Sequence, residues 1–315
     1  MYDNIKIIQY FINEEQRLRC FNELKKRVIR YNGNDKNYLF GYIKNMNLKI
    51  TQNNLTIHGS IAKFLNGENC TPLKRKDVEI AIHQLEDEIG IELSNAIVKY
   101  VEFGPSFIVK ENLGKYFNLF GWAPKLGKSI HFLNSRETAT VTYKSKTGFQ
   151  EFILYNKTEE MIKKGAKKKI PTNFTGQNVF RLEYKIKNIR GIREKFGRDL
   201  TLYDLFEKNI YQTFQKLFLE FYNSIEKYGR TIFVHKSETI RQYKDNFYEL
   251  QRQIHPDEYN EYHREVKEAG KIPNRYFSAI RSNDRKRSKN FQISNTSPLI
   301  AELDALVQKA ALSSD

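Results

Sequence analysis

Strand-like and helix-like hydrophobic patterns alternate through the first two thirds of the chain. Ile5 to Phe11 reads as a short strand, and Asn37 to Ile50 and Leu55 to Phe64 as two strands around the turn Gln52-Asn53-Asn54. Thr71-Pro72 opens a helix expected from about Leu73 to Ile89. Val78, Ile80, Ala81 and Leu85 return there at helical spacing with acids opposite, and Gly90 supplies the stop. Asn95 to Val109 predicts one strong strand, and Glu111 to Phe120 a short helix ending at Gly121. Lys128 to Phe132, Thr138 to Lys144 and Phe149 to Lys157 follow as strands, the last two joined as a hairpin across Lys146-Thr147-Gly148. Asn178 to Lys187 is one more strand.

From Leu200 onward the period changes to that of a helix. Leu202, Leu205, Phe206, Ile210, Phe214, Leu217 and Phe218 form a long apolar stripe. Further helices are expected around Ser237–Gln253, Pro256–Ala269, Pro273–Ile280 and Ser297–Ala311. The expectation is an α+β protein: an antiparallel sheet with packed helices over residues 1–195, then a mostly helical DNA-binding or interaction region over 196–315, the boundary falling near Asn188–Leu200.

Composition supplies a core and suggests a partner. Hydrophobic residues are 40% and aromatics 13%, too apolar for a disordered chain. Lys plus Arg number 53 against 37 acids, a formal charge of +16 that favours a polyanion, because each neutralised phosphate releases counterions. An anionic membrane is the competitor. The mean hydropathy is −0.65, and no apolar run approaches the ~20 residues of a membrane helix. The opening MYDNIKIIQYFINEEQ lacks a basic segment followed by an apolar one, so no secretory signal is expected. Two cysteines, Cys20 and Cys70, make no disulfide framework. A reduced, cytoplasmic, polyanion-binding protein with no membrane partner is expected. There is no HExxH, CxxC, P-loop or GxGxxG motif, which removes metalloprotease, zinc-ribbon, NTPase and dinucleotide readings. Ser60-Ile61-Ala62-Lys63 has the S-x-x-K spacing of a β-lactamase, but it is expected in a strand and no SDN or KTG element follows.

Strand parity gives the candidate chemistry. In Asn178–Lys187, Arg181, Glu183, Lys185 and Lys187 share one face. In Asn95–Val109, Glu102 is expected beside Val98, Tyr100 and Gly104, an apolar face on which an unpaired carboxylate is costly. In Phe149–Lys157, Tyr155 and Lys157 fall on one face, a nucleophile beside a cation that can share phosphate charge. An ordinary solvated face reads the same way, and most of 19 tyrosines belong to cores or stacking surfaces. His58, beside Thr56 and Ser60, is a candidate metal ligand, although a lone strand histidine is more often simply hydrogen-bonded. The other five histidines show no ligand spacing. Two basic clusters, Lys163, Lys164, Lys167, Lys168 and Lys169, then Arg281, Arg285, Lys286, Arg287 and Lys289, favour phosphate-backbone contacts.

Five local patterns occur in order: His58-Gly59-Ser60-Ile61-Ala62-Lys63-Phe64 with Gly67 and Asn69, Val101-Glu102-Phe103-Gly104, Phe152-Ile153-Leu154-Tyr155-Asn156-Lys157, Phe180-Arg181-Leu182-Glu183-Tyr184, and Leu200-Thr201-Leu202-Tyr203-Asp204-Leu205. Over roughly Leu55 to Phe206 the chain resembles the gene II-type replication initiators of filamentous phages and related plasmids or prophages, relatives of the His-hydrophobe-His (HUH) nucleases. The resemblance implies a rolling-circle initiator that nicks and religates origin DNA through a covalent 5′-phosphotyrosine, leaving a 3′ hydroxyl as primer. It places the nucleophile at Tyr155 with Lys157 beside it. The metal ligands it implies are Glu102, Glu183 and His58, around Mg²⁺ or Mn²⁺. Candidate DNA contacts are Ser60, Lys63 and Arg181 within the resembling span, and, from the basic clusters, Lys163, Lys164, Lys167, Lys168, Lys169, Arg285, Lys286 and Arg287. The wider superfamily's histidine pair is replaced here by Val101-Glu102-Phe103-Gly104. The implied partner is single-stranded or supercoiled origin DNA, with a host helicase or polymerase as a further candidate. Two alternatives stand beside it: a non-catalytic origin-binding replication protein, and a tyrosine transposase or relaxase of similar chemistry.

Overall fold

Eleven strands form one antiparallel sheet among the described residues of the computed structural model, which are 1–32, 38–121, 123, 126–131, 140–163, 170–227, 256–270 and 297–312. In chain order the elements are β1 (Tyr2–Tyr10), α1 (Glu14–Arg27), β2 (Ile29–Asn32), β3 (Leu39–Ile43), β4 (Met46–Ile50), β5 (Asn54–Ser60), α2 (Ile61–Asn66), α3 (Arg75–Ile89), β6 (Ile97–Phe103), β7 (Ser106–Val109), α4 (Leu113–Phe117), β8 (Leu126–His131), β9 (Thr140–Ser145), β10 (Gln150–Asn156), α5 (Lys157–Lys163), β11 (Asn178–Ile186), α6 (Ile189–Phe196), α7 (Lys208–Ser224), α8 (Pro256–Glu268) and α9 (Pro298–Leu312). The strand order is β2-β3-β4-β5-β1-β6-β11-β10-β9-β8, with β7 paired to β11. The expected α+β class with an antiparallel sheet is what the chain adopts. Two compact units divide it: residues 1–117, 123–224 and 303–315, and residues 118–122 with 225–302. Residues 200–224, beyond the boundary expected near Asn188–Leu200, belong to the unit that holds the sheet.

Alternation gives the sheet two unlike faces. Ile5, Ile7, Leu48, Ile50, Leu55, Ile57, Val98, Val101, Phe103, Phe152, Leu154, Leu182 and Tyr184 are buried on one of them. The helical stripe read from the sequence lands on this face as α7: Phe214 stacks 5.4 Å from Phe103, and Phe218 and Phe221 lie 5.5 and 5.2 Å from Phe152. In the same unit, the Tyr222 hydroxyl donates to Asp304 on α9 at 2.6 Å. The second unit contains α8, on which Tyr259 and His263 pack 4.4 Å apart. The helices expected at Ser237–Gln253 and Pro273–Ile280 lie outside the described residues. Among the described residues no helix is long and apolar enough to cross a membrane.

Three expected strands are each broken by local chemistry. Asn37–Ile50 becomes β3 and β4 because Lys44, at φ 52°, turns the chain back between Ile43 and Met46. Leu55–Phe64 ends at Ser60, whose hydroxyl accepts the Lys63 N–H at 3.0 Å and caps α2. The S-x-x-K spacing therefore does begin a helix, contrary to the strand placement. Asn95–Val109 breaks at Gly104-Pro105. There the sheet passes so close that a Cβ on Gly104 would lie 1.9 Å from the Leu182 carbonyl oxygen. The helix α1 was not anticipated. Only Arg17, Cys20, Phe21 and Leu24 are buried on it, so its apolar stripe is narrow; Asn13 caps it, acids start it and Lys25, Lys26 and Arg27 end it.

Gly104→Ala is expected to destabilise the fold by about 2 kcal/mol or more, since backbone must yield to a methyl group. A urea unfolding midpoint equal to the parent's would show that the Gly104–Leu182 approach is not constrained.

Candidate functional site

The second sheet face turns polar where β1, β6, β11 and β10 lie side by side. Register brings Tyr155 opposite Arg181, Ile153 opposite Glu183, and Glu102 opposite Lys185. Residues paired across antiparallel strands share a face, so these side chains converge. Glu102 sits with Tyr100, but Val98 does not join them as strict parity predicts. Lys6 pairs with Tyr100 while Ile7 pairs with Val98, so a bulge at Lys99 returns Val98 to the buried face beside Val101. A second irregularity, between Tyr2 and Ile5, accompanies the arrival of Asp3 in the same pocket.

Asp3, Glu102 and Glu183 are buried, and one carboxylate oxygen of each lies within 4.8 Å of the others. Such a group survives burial only if cations and donors meet it. Arg181, 0% exposed, does most of this. It donates through Nη2 to Asp3 Oδ2 at 2.9 Å, through Nε to Glu183 Oε1 at 3.2 Å, and through Nη1 to Ser106 Oγ at 3.0 Å. Lys185 Nζ bridges Glu102 Oε1 at 2.6 Å and Glu183 Oε2 at 2.9 Å. The Ser60 hydroxyl donates to Asp3 Oδ1, the Asn69 amide to Asp3 Oδ2 at 3.1 Å, and the Tyr100 hydroxyl to Glu102. The Tyr155 hydroxyl donates to Glu183 Oε1 at 2.6 Å.

These contacts split the two glutamates. Burial alone would raise Glu183, but the Lys185 ammonium, the Arg181 guanidinium and the Tyr155 hydrogen bond override it and hold the carboxyl at about 2. Glu102 is raised, first by burial and then by the charge of Glu183, with Lys185 offsetting only part. Tyr155 is raised well above its ordinary value, by burial first and by Glu183 second, so its resting form is the neutral phenol.

The expected residues fall in different places. Tyr155, Glu102, Glu183 and Arg181 meet in one pocket. Lys157 is the first residue of α5, buried, with Nζ 3.0 Å from Glu160 Oε2 and 5.7 Å from the centre of the Tyr155 ring. His58 is exposed on β5, edge-on to Tyr100 at 6.0 Å, and is not part of the carboxylate group; Asp3 is its third member. Ser60 reaches the pocket only through Asp3, and Lys63 is exposed on α2. The side chains of Lys163, Lys164, Lys167, Lys168, Lys169, Arg285, Lys286 and Arg287 lie outside the described residues. The Leu200–Leu205 pattern is structural: Val98 N–H donates to the Leu200 carbonyl and Leu202 N–H to that of Ala96, both at 2.8 Å. Asp3 and Asn69 were not singled out as site residues. Asp3 precedes the strand expected from Ile5, whereas β1 starts at Tyr2, so strand parity gave no signal for it.

Three hard oxygen donors in reach of one another suit a divalent cation such as Mg²⁺ or Mn²⁺. Lys185 already sits between two of them, so its ammonium and a metal compete for the same oxygens; its side chain is 15% exposed and has a route to solvent.

No family model matches the chain, and no curated protein matches it. Among solved structures it is similar to a rolling circle replication initiator protein from Geobacillus stearothermophilus, with a TM-score of 0.37 and 9% identity over 75% of this chain and 89% of that one. A likeness of that size carries no argument about activity.

Glu183 has a folded-state value below its unfolded one of about 4.3, so it contributes stability that is full above about pH 4.3 and lost as pH falls toward 2. The stability difference between the parent and Glu183→Gln is therefore expected to shrink as urea titrations move from about pH 6 to about pH 3. A difference that stays constant over that range would mean the two cations do not hold the carboxylate.

Proposed function

We propose that the protein is a replication initiator that nicks and rejoins origin DNA through Tyr155, in the manner of the gene II-type enzymes it resembles. The observation that supports this is the 2.6 Å hydrogen bond from the Tyr155 hydroxyl to Glu183 inside a three-carboxylate pocket. In this reading the phenol oxygen attacks the phosphorus of one phosphodiester and the P–O3′ bond breaks. The tyrosine keeps the 5′ phosphate. The phenol proton passes to Glu183, the nearest acceptor, and then to the departing 3′ oxygen, so reversal of the same steps rejoins the strand. A strongly raised phenol pKa makes that acceptor necessary. Glu183 held near 2 is a weak base, so the transfer has to be concerted with attack. Arg181 fixes Asp3 and Glu183, and Lys157 stands by the tyrosine ring as a cation for developing phosphate charge. Asp3, Glu102 and Glu183 would hold Mg²⁺ or Mn²⁺, which when bound polarises the scissile phosphate.

A second reading, a non-catalytic origin-binding protein, is favoured by one fact: Arg181 and Lys185 already satisfy the carboxylates without a metal. Incubation with supercoiled origin DNA and Mn²⁺ separates the two. The parent protein is expected to yield nicked circles and a protein–DNA adduct stable to denaturant, and Tyr155→Phe neither. An adduct formed by Tyr155→Phe sinks the assignment of the nucleophile. No adduct from the parent, with tight origin binding, leaves the second reading.

The metal assignment has its own test. Mn²⁺ binding followed by electron paramagnetic resonance is expected to weaken at least tenfold in Asp3→Asn and to tighten about tenfold in Lys185→Gln, because one competing unit charge has been removed. Unchanged binding in both variants places the ion elsewhere.

A further inference from the structure

The polar face does not end at the carboxylate pocket. It continues from β6 across β1, β5 and β4 to β3: Tyr100 pairs with Lys6, Lys6 with His58, His58 with Asn47, Thr56 with Lys49, and Lys49 with Phe40. Directly paired residues share a face, so these belong to one surface with Tyr155 and Glu183. Its composition is unlike that of an ordinary solvated sheet, where acids and bases are interspersed. Strands β3, β4 and β5 carry no Asp or Glu. Large rings stand in water instead: Tyr38 is 41% exposed, Phe40 43% and Tyr10 55%. The cations sit against them, Lys49 Nζ 5.3 Å from the Tyr38 ring centre and Lys99 Nζ 5.5 Å from that of Tyr10.

We propose that this open half of the sheet is a platform for single-stranded DNA, leading an unpaired strand toward Tyr155. The inference rests on the nicking reading only for its direction of travel. Exposed rings with ammonium groups set against them match a polymer whose bases offer π-faces and whose backbone offers phosphates. A duplex hides those π-faces in its stack, and a flat sheet face does not enter a groove as a helix or ribbon does. Six strand spacings of about 4.8 Å separate Tyr155 on β10 from Phe40 on β3, so the platform extends about 29 Å from the reacting atom. The three buried acids of the face lie at the catalytic end, where Arg181 and Lys185 meet them.

Fluorescence anisotropy of the full chain with labelled oligo(dT) of about 20 nucleotides, and with oligo(dA)·oligo(dT) duplex of equal length, tests the proposal. Phe40→Ala and Tyr38→Ala are each expected to weaken single-strand binding about fivefold or more. Lys6→Gln with Lys49→Gln is expected to reduce the slope of log affinity against log salt by about 1.4, at ~0.7 per phosphate contact. Duplex binding is expected to change little. These side chains are exposed, and parental unfolding curves confirm that each variant is folded. Unchanged single-strand affinity and salt slope overturn the proposal, as do equal losses on duplex and a parent that fails to bind oligo(dT). Failure of the tyrosine chemistry has a separate signature: no covalent adduct, with these binding effects intact.

Discussion

The Arg181 guanidinium is the constraint on which the pocket depends. It lies fully buried between Asp3, from the first strand, and Glu183, two residues away on its own strand. Without it two carboxylates would face each other in a medium of low polarity, and removing one member of such a group costs about 3–5 kcal/mol. With it, strands far apart in sequence are tied in one register, and the oxygens of the acids are oriented before any ligand arrives. Two bonds within one strand pair would not do this. The pairing of β1 with β6, and of β6 with β11, is what brings Asp3 to Arg181 at all.

The same cations set the state of the tyrosine. Because Lys185 and Arg181 hold Glu183 ionised, Glu183 is free to accept the Tyr155 hydroxyl; because the phenol is buried beside a carboxylate, it stays protonated. A resting phenolate would be a hazard in a nicking enzyme, attacking any phosphodiester that entered. In the proposed nicking reaction a neutral phenol held 2.6 Å from its acceptor would delay attack until a phosphate is in place. Glu102 is pushed the other way from Glu183, so adjacent carboxyls differ in proton affinity, the arrangement from which acid and base roles are built.

Much of this was legible in the sequence, and the failures have physical causes. Period-two alternation put Arg181, Glu183 and Lys185 on one face and Tyr155 on its own; register then joined them. Parity misplaced Val98 because it cannot see a bulge, and here one extra residue at Lys99 inverts everything upstream of it on that strand. Asp3 was passed over because a single acid near a terminus carries no pattern, and its role appears only once Arg181 meets it across the sheet. His58 looked suited to a metal, yet its strand places it beyond Tyr100, one ring removed from the acids. The turn at Lys44 and the break at Gly104-Pro105 depend on backbone geometry that a run of apolar residues conceals.

Charge along the polar face is consistent with the proposal that its two ends serve one polyanion. If all three were counted as charged, the carboxylates alone would repel a phosphate from Tyr155. Arg181 and Lys185 reduce that excess to one negative charge, and a divalent ion in place of the Lys185 ammonium would bring it to zero. At the far end Lys6 and Lys49 lie on or beside strands β3, β4 and β5, which carry no acid. In the proposed reading a strand drawn first to the aromatic half would meet a pocket of net negative charge until a cation entered it. In that reading cation entry and phosphate entry are coupled, since each reduces the electrostatic cost of the other.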